Sequence, residues 1–476
     1  MTVLERVLSL PRALGLGRGL GASATTGPPV ELVRGLNLTM ATAIVVGTMI
    51  GTGIFLKPAE IAREAGSVEW ALVAWLVGAF LTLLGALCYM ELGTMMPAAG
   101  ADYAYLKRAW NPAMGFLFGW KYFAVTHPAS MASLASGLTL FASYFWPGLL
   151  APVGRIGALT ITAGNLFAAL VILVVTAVNL MAVRSVGRFQ VVLTGVKILS
   201  LAVVVGVGLY FAAGAERGLP ATTVSAVRVG GFTAAVTATL WTYSGWHTLL
   251  RVGSEIENPG RNIPRAMLAG FGVTAVLFLL VNVACFAVLG FDGVAGSAHV
   301  ASDLLQGTIG AGGAGLLSLM MILSAFGSIN TSTLGSARIT YAMARDGLLP
   351  RPLAWVHPKT HIPPHAVTVP SVIALGFVLT GTFEDLTSLF VFTQWMFYAL
   401  GVVGLFRLRR TEPDAPRPVK VWGYPVVPAL FVLLATVLTV SQFVERPVRS
   451  TIGLALVLLG LPIYAWMRTR SSLSAE

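Results

Sequence analysis

The sequence predicts an all-α polytopic membrane protein with twelve transmembrane helices. Of the 476 residues, 56% are hydrophobic and only 11% are charged, and the mean hydropathy is +0.82. Soluble chains carry about a quarter charged residues. The apolar residues also fall into separate blocks, each close to the roughly 20 residues that a helix needs to cross the hydrocarbon core of a bilayer.

These blocks are continuously apolar, which indicates helices rather than the strands of a barrel. Lipid cannot satisfy backbone polar groups, so only helices and closed barrels span a bilayer. Barrel strands alternate apolar and polar residues, and the blocks do not. The predicted spans lie at residues 38–62, 69–95, 113–146, 159–180, 187–212, 232–256, 265–290, 313–344, 366–381, 386–407, 424–443 and 449–467.

The basic residues predict the orientation of the chain. The formal net charge is +12, with 31 lysines and arginines. If the N-terminus faces the cytoplasm, most of these residues fall in segments on that side, as the positive-inside rule requires. We therefore expect a multi-pass protein of the cell (inner or plasma) membrane with both termini in the cytoplasm. The basic charge then reports membrane topology and not a nucleic-acid partner.

Two of the predicted spans contain interruptions. Span one holds Gly47, Gly51 and Gly53 with threonines between them, and span six holds Gly245 and hydroxyl residues between large aromatics. Glycine is a poor helix former and tolerates strained backbone. Gly47 and Gly51 alone also match a small-residue motif for close helix packing. Two matched interruptions, however, favour a transporter site at the breaks.

The chemistry of a broken helix suits a zwitterion. One half-helix presents free N–H groups and a positive dipole end, and the other presents free carbonyls and a negative end. The first suits an α-carboxylate and the second suits an α-ammonium. Unwound backbone at membrane depth is also tolerated only where it lines a cavity or is buried in protein. The two breaks therefore predict an amino acid site in the middle of the membrane.

At these residues the chain resembles the amino acid–polyamine–organocation superfamily and, within it, the L-type amino acid transporters. Residues 51–55 are similar to the first-span glycine motif of the family, with Thr52 where serine is usual. The resemblance covers residues 36–468, and the motifs occur in the family's order. Three more segments carry it, namely the sixth-span aromatic-glycine motif at 241–246, the acidic-Asn-Pro signature at 255–264 and the loop before span eleven at 417–425.

The resemblance implies a LeuT-like fold with five-plus-five inverted repeats and broken helices one and six. It also implies alternating access, often with exchange of one amino acid for another. The implied segments are a cytoplasmic tail at 1–36, the first repeat with spans one to five at 37–212, the second repeat with spans six to ten at 231–408, spans eleven and twelve at 421–468, and a cytoplasmic tail at 469–476.

The resemblance further implies roles for single residues. Backbone N–H groups around Thr52 and Gly53 would hold the substrate carboxylate, and Trp241 would be the gate that covers the substrate. Carbonyls of Met49, Trp241 and Ser244 would accept from the ammonium. Ser244 stands where many relatives have glycine, which favours small neutral substrates. The whole implied binding set is Thr48, Met49, Ile50, Gly51, Thr52, Gly53, Trp241, Thr242, Tyr243, Ser244 and Gly245.

Lys197 lies in the middle of span five, where an ionisable group is costly and is a functional candidate. It matches a lysine position of the L-type relatives, near the broken first span, in the space that sodium occupies in sodium-coupled relatives. This match implies sodium-independent transport. Two alternatives stay open for Lys197, namely proton coupling, which would make the protein a symporter, and snorkelling to an interface.

Span three contains two further polar residues. Lys121 lies nearer an end of the span, and we expect it to snorkel towards water. His127 precedes Pro128 at greater depth, where the proline frees a backbone carbonyl. His127 is a candidate pocket residue, and a packing role is the alternative.

The sequence predicts a carrier and not an enzyme. Acidic residues are nearly absent from the spans, so no catalytic constellation is apparent, and the charge rings of a channel are missing. We expect no cofactor and no metal, because prolines separate the three histidines within residues 357–365. Cys88 and Cys285 both lie in predicted spans, so no disulfide-linked heavy subunit is expected. We therefore expect a free-standing carrier of bacterial type that transports amino acids.

Overall fold

A computed structural model describes residues 34–98, 100–156, 159–181, 183–214, 229–380 and 383–473. Most of the predicted N-terminal tail (1–36) and the last three residues of the chain lie outside the described part. The described residues are predominantly helical.

The first part of the chain contains six helices before its only extended segment among the described residues. These are α1 (Leu38–Met49), α2 (Gly53–Ala65), α3 (Val68–Met95), α4 (Asp102–Ala109), α5 (Pro112–Lys121) and α6 (His127–Ala142). A π-helical turn, Tyr122–Thr126, joins α5 to α6. After a 3₁₀ turn at Pro147–Leu150 there follow β1 (Pro152–Ile156), β2 (Leu159–Thr162), α7 (Ala163–Asn179) and α8 (Val183–Gly214).

From Val229 onward, all regular secondary structure among the described residues is helical. The helices are α9 (Val229–Thr242), α10 (Thr248–Arg251), α11 (Pro259–Gly296), α12 (Val300–Ile309), α13 (Ala311–Arg345), α14 (Pro364–Thr380), α15 (Phe383–Thr411), α16 (Val426–Glu445), α17 (Pro447–Leu458) and α18 (Gly460–Leu473). Short 3₁₀ turns lie at Gly253–Glu255 and Arg351–Ala354.

Local sequence signals explain where several helices begin and end. The Asn37 side chain accepts a hydrogen bond from Met40 N at 3.0 Å and caps α1. The Asn111 side chain caps α5 in the same way, with proline at the first helical position. Thr162 and Asn165 form a reciprocal capping box that starts α7.

Seven helices in the described part are long and apolar enough to cross a membrane, and the bent pair α1–α2 makes an eighth. Two further apolar helices, Ala163–Asn179 and Pro364–Leu379, are shorter. A polytopic helical membrane protein is therefore confirmed. The seven long segments are Val68–Met95, Gln190–Gly214, Pro259–Gly296, Ala311–Arg345, Phe390–Thr411, Val426–Glu445 and Pro447–Met467.

Three features differ from the sequence prediction. The chain is not entirely helical, because β1 and β2 form an antiparallel hairpin in the connection after α6. Helices α4 and α12 were not predicted, since their eight and ten residues are too short for a span. The predicted snorkelling of Lys121 is wrong: its Nζ is fully buried and donates to Gln394 Oε1 at 2.6 Å.

The bent helix pair lies at the centre of the helical packing. Helix α1 contacts α8, α11 and α13, whereas α2 contacts α9 and α11. The break between α1 and α2 is therefore surrounded by protein. This position allows irregular backbone at membrane depth without contact with lipid.

Glu91, at one end of α3, holds the segment before α16 in place. Its carboxylate accepts two hydrogen bonds from Arg409, at 2.9 and 2.5 Å, and one from Val421 N at 2.7 Å. Arg417 Nε lies 3.3 Å away. Glu91 is fully buried, and these are the groups that balance its negative charge among the described residues.

We expect Glu91→Gln to lower the free energy of unfolding by about 3–5 kcal/mol, because it removes the buried negative charge that faces Arg409 and Arg417. The apparent melting temperature in detergent measures this loss. The matched control is Glu412→Gln, which removes the more exposed ion pair with Arg108 and should cost less than about 1 kcal/mol. Equal melting temperatures for the two variants would contradict the assignment.

Candidate binding site between two broken helices

The first break lies between α1 and α2, whose axes are bent by 41°. Gly51 N donates to Met49 O at 2.9 Å, so the chain turns sharply after α1. Thr52 O accepts from Phe55 N at 3.2 Å and begins α2. The first N–H groups of a helix have no acceptor within it, so the beginning of α2 presents Gly53 N–H at this depth.

The second break occupies residues 243–247, between α9 and α10. Ser244 N donates to Trp241 O at 3.0 Å, and Thr248 N donates to Gly245 O at 2.9 Å. Gly245 has φ +115°, a conformation that side chains other than hydrogen rarely adopt.

The two breaks touch one another through glycines. A Cβ on Gly245 would lie 2.8 Å from both the carbonyl carbon and the oxygen of Thr48. A Cβ on Gly53 would lie 3.1 Å from Thr242 Cα. The end of α1 therefore packs on the second break, and the beginning of α2 packs on the end of α9. Only residues without a side chain permit this approach.

A cavity of about 40 Å³ lies between the breaks. Ile50, Thr52 and Tyr243 are buried and do not line it. Eight residues of the predicted binding set do line it, namely Thr48, Met49, Gly51, Gly53, Trp241, Thr242, Ser244 and Gly245.

Sequence reasoning missed the residues that complete the wall. These are Tyr122, Ser130, Leu134, His247, Thr248, Ser328, Ser332 and Phe390. The spacing of Ser328 and Ser332 could have indicated that both face the same side, since residues four apart lie on one face of a helix. His247 follows the aromatic-glycine motif directly. Tyr122, Ser130 and Leu134 share the third predicted span, whereas Thr248 and Phe390 lie in other spans, and only the packing of the helices brings these groups together.

Trp241 lines this cavity and also a smaller one of about 10 Å³ on the side of α2. Its ring packs edge-on against Phe390, with centroids 5.0 Å apart and an interplanar angle of 84°. The second cavity is lined in part by the polar residues Lys57, Glu60 and Gln442. The Trp241 side chain therefore forms part of the wall between the two cavities.

Lys197 does not line the cavity but lies directly behind the first break. Its Nζ donates to Gly47 O at 2.5 Å, to Ile50 O at 2.8 Å and to Ser328 Oγ at 2.6 Å. Ser324 Oγ also donates to Ile50 O, at 3.3 Å. Lys197 is fully buried. The Lys197 amine thus donates to carbonyls that the broken helix leaves free.

His127 lies beside the cavity and not in its wall. Its ring stacks on that of Tyr122, with centroids 6.0 Å apart, and its Nδ1 lies 3.4 Å from Ser332 Oγ. Both of these neighbours line the cavity. His127 therefore supports two wall residues.

The sequence model of the "Amino acid permease" family matches residues 36–466. The chain belongs to this family. The permease is 32% identical to human "Large neutral amino acids transporter small subunit 2" over 92% of its own length and 81% of that protein. It is 30% identical to the mouse "b(0,+)-type amino acid transporter 1", over 91% of its length and 88% of that protein. The identity to mouse "Asc-type amino acid transporter 1" is also 30%, with coverage of 91% and 81%.

These relatives confirm the resemblance to the L-type branch of the superfamily. The permease is accordingly a membrane transporter and not an enzyme. Among the described residues, no group of three or more His, Cys, Asp or Glu side chains is arranged to hold a metal ion.

We expect Gly245→Ala to abolish transport, since a methyl group would collide with Thr48 and the positive φ would be strained by about 1–3 kcal/mol. Uptake into proteoliposomes measures the effect. The control is Gly272→Ala in α11, where a Cβ would meet nothing within 4 Å. Normal uptake by the Gly245→Ala variant would mean that the breaks do not need this contact.

Proposed function

We propose that this permease is a sodium-independent exchanger of small neutral L-amino acids that works by alternating access. The family and the names of the relatives support amino acids as substrates. The small cavity between the breaks, with the Ser244 side chain in its wall, supports a small substrate. Its polar lining residues carry hydroxyl groups and one imidazole, which suits a neutral side chain.

The binding mode that we propose uses the backbone of both breaks. The substrate carboxylate accepts from the N–H groups around Thr52 and Gly53, at the positive end of α2. The ammonium donates to carbonyls of Met49, Trp241 and Ser244. The wider predicted set, including Ile50 and Tyr243, holds the backbone in place from behind. Trp241 acts as the gate, which its place in the wall between two cavities supports.

The single observation that carries sodium independence is the environment of Lys197. In transporters with broken helices, unwound carbonyls and half-helix ends coordinate the coupling cation. Here the Lys197 ammonium already donates to two such carbonyls and to Ser328. A sodium ion at this place would be repelled by the lysine charge. The two carbonyls that could bind it already accept hydrogen bonds from Lys197.

We infer the rest of the architecture from family and sequence together. Twelve spans with inverted repeats at 37–212 and 231–408, spans eleven and twelve at 421–468, and short tails at 1–36 and 469–476 are consistent with the described helices. The distribution of basic residues supports cytoplasmic termini in the cell membrane. Both cysteines of the chain are buried, which supports a carrier without a disulfide-linked heavy subunit.

Uptake of labelled amino acids into proteoliposomes tests the proposal. We expect uptake that requires unlabelled amino acid inside and that is unchanged when sodium or a pH gradient is added. Small neutral L-amino acids should compete best for uptake. Uptake that needs sodium would refute the proposal.

A proton-coupled symporter is the second candidate. Lys197 has only neutral hydrogen-bond acceptors among the described residues, so no carboxylate fixes its charge. Uptake into empty vesicles that is driven by acid outside would identify this mechanism instead. Lys197 would then be the proton carrier.

We expect Lys197→Met to lower uptake by about tenfold or more, because two buried carbonyls lose a charged donor. Lys121→Met is the matched control, since Lys121 is equally buried but donates to Gln394 and Thr393, away from the break. Both variants lose stability, so uptake is normalised to folded protein. If the two variants transport equally well, Lys197 has no special role at the break.

A further inference from the structure

Buried contacts join the two broken helices on the side of the membrane where α1 begins, which the proposed topology makes cytoplasmic. Gly35 N and Leu36 N, just before α1, both donate to Glu255 O at 3.0 Å. Glu257 N donates back to Leu36 O at 3.0 Å, and Leu36 forms a parallel bridge with Ile256. The beginning of α1 and the segment after α10 are thus connected as one unit.

Two buried arginine–carboxylate pairs attach this unit to neighbouring helices. Arg338 of α13 holds Glu255, with Nε 2.8 Å from Oε1 and Nη2 3.2 Å from Oε2. Arg251 of α10 faces Asp102, at the start of α4, with Nε 3.6 Å from Oδ2. All four side chains are buried.

The two pairs differ in how well their charges are satisfied. The Arg338–Glu255 contact is bidentate, which is the strong geometry for this pair of groups. Both carboxylate oxygens of Asp102, and Nε and Nη2 of Arg251, have no hydrogen-bond partner among the described residues. Burial raises the pKa of the Asp102 carboxyl, against the opposing effect of Arg251. The Arg251–Asp102 pair therefore has fewer direct hydrogen bonds to lose on separation than the bidentate Arg338–Glu255 pair.

Arg251 also contacts the wall of the substrate cavity. Its Nη1 donates to the Tyr122 hydroxyl, and the guanidinium lies 4.0 Å from the centre of the Tyr122 ring. Tyr122 lines the cavity, as does Thr248, one helical turn before Arg251 in α10. Arg251 therefore connects the cavity wall to α4.

We propose that the Asp102–Arg251 pair is the cytoplasmic gate of this permease, an inference that rests on the alternating-access mechanism proposed above. When the pair is closed, α10 is held against α4 below the cavity. When Arg251 leaves Asp102, α10 moves away and the substrate reaches the cytoplasm. The bidentate Arg338–Glu255 pair keeps the moving unit attached to α13. Both gate residues act by positioning α10 and do not touch the substrate.

A cysteine reporter tests the gate. Ser336 of α13 is buried and lies one turn beyond Ser332, on the same helix face. In a Ser336→Cys background, a membrane-impermeant maleimide is applied separately to each face of membrane vesicles. We expect Asp102→Asn to raise the labelling rate from the cytoplasmic face by about fivefold or more, as for a typical coupling between two states. The parent chain without Ser336→Cys corrects for its two buried cysteines.

Two further variants make the test decisive. Glu412→Gln removes the exposed ion pair between Glu412 and Arg108 of α4 and should leave the labelling rate unchanged. If Asp102→Asn does not fold, the double variant Asp102→Asn/Arg251→Gln removes both charges without leaving one unpaired, and it should also raise labelling. Unchanged labelling in both gate variants would overturn the proposal.

This readout separates the gate from the proposed transport activity. The labelling rate does not depend on which amino acid is carried or on the coupling ion. A permease that fails the exchange assay but shows faster labelling retains the gate. Normal exchange with unchanged labelling retains the transport function and refutes the gate.

Discussion

The contact of the Lys197 ammonium with the first break is the interaction on which the rest of the site depends. A helix that stops inside a membrane leaves carbonyls that neither lipid nor the next turn can satisfy. Lys197 donates to the carbonyls of Gly47 and Ile50, and Ser328 Oγ lies within hydrogen-bond distance of the same two carbonyls. Lys197 Nζ also lies at the negative end of α1, where a helix dipole favours the charged form of the amine. With α1 terminated in this way, the backbone is free to turn and to begin α2 at a new angle.

The second requirement is that the two breaks meet. Gly245 and Gly53 allow backbone to approach backbone, so that the end of α1 and the beginning of α2 both contact the interrupted sixth span. The resulting cavity has a wall of backbone groups and small polar side chains. In the binding mode that we propose, such a wall recognises the part that all amino acids share, while Ser244, Trp241 and Phe390 limit the size of the substrate side chain.

A single side chain bounds the cavity or connects it to a neighbouring helix at each of its two ends. On one side, the Trp241 ring separates the cavity from a small polar space. On the other, Arg251 connects Tyr122 in the cavity wall to Asp102. The well-satisfied Arg338–Glu255 pair and the incompletely satisfied Arg251–Asp102 pair both hold the segment that follows the second break. In the gate that we propose, the first pair stays closed and the second pair opens.

The sequence alone determined the membrane class, the helical character and the positions of both interruptions, because apolar block length and glycine placement are local properties. It also singled out Lys197, since an ionisable residue in the middle of an apolar block is recognisable from the sequence alone. The tertiary structure decided which side chains surround the cavity: Tyr122 and Ser130 of one span meet Ser332 of a distant span, and no local pattern specifies that they meet. It likewise decided that Lys121 is buried against Gln394 and that Asp102 faces Arg251. Such pairings depend on how helices pack against each other, which the periodicity of a single helix does not encode.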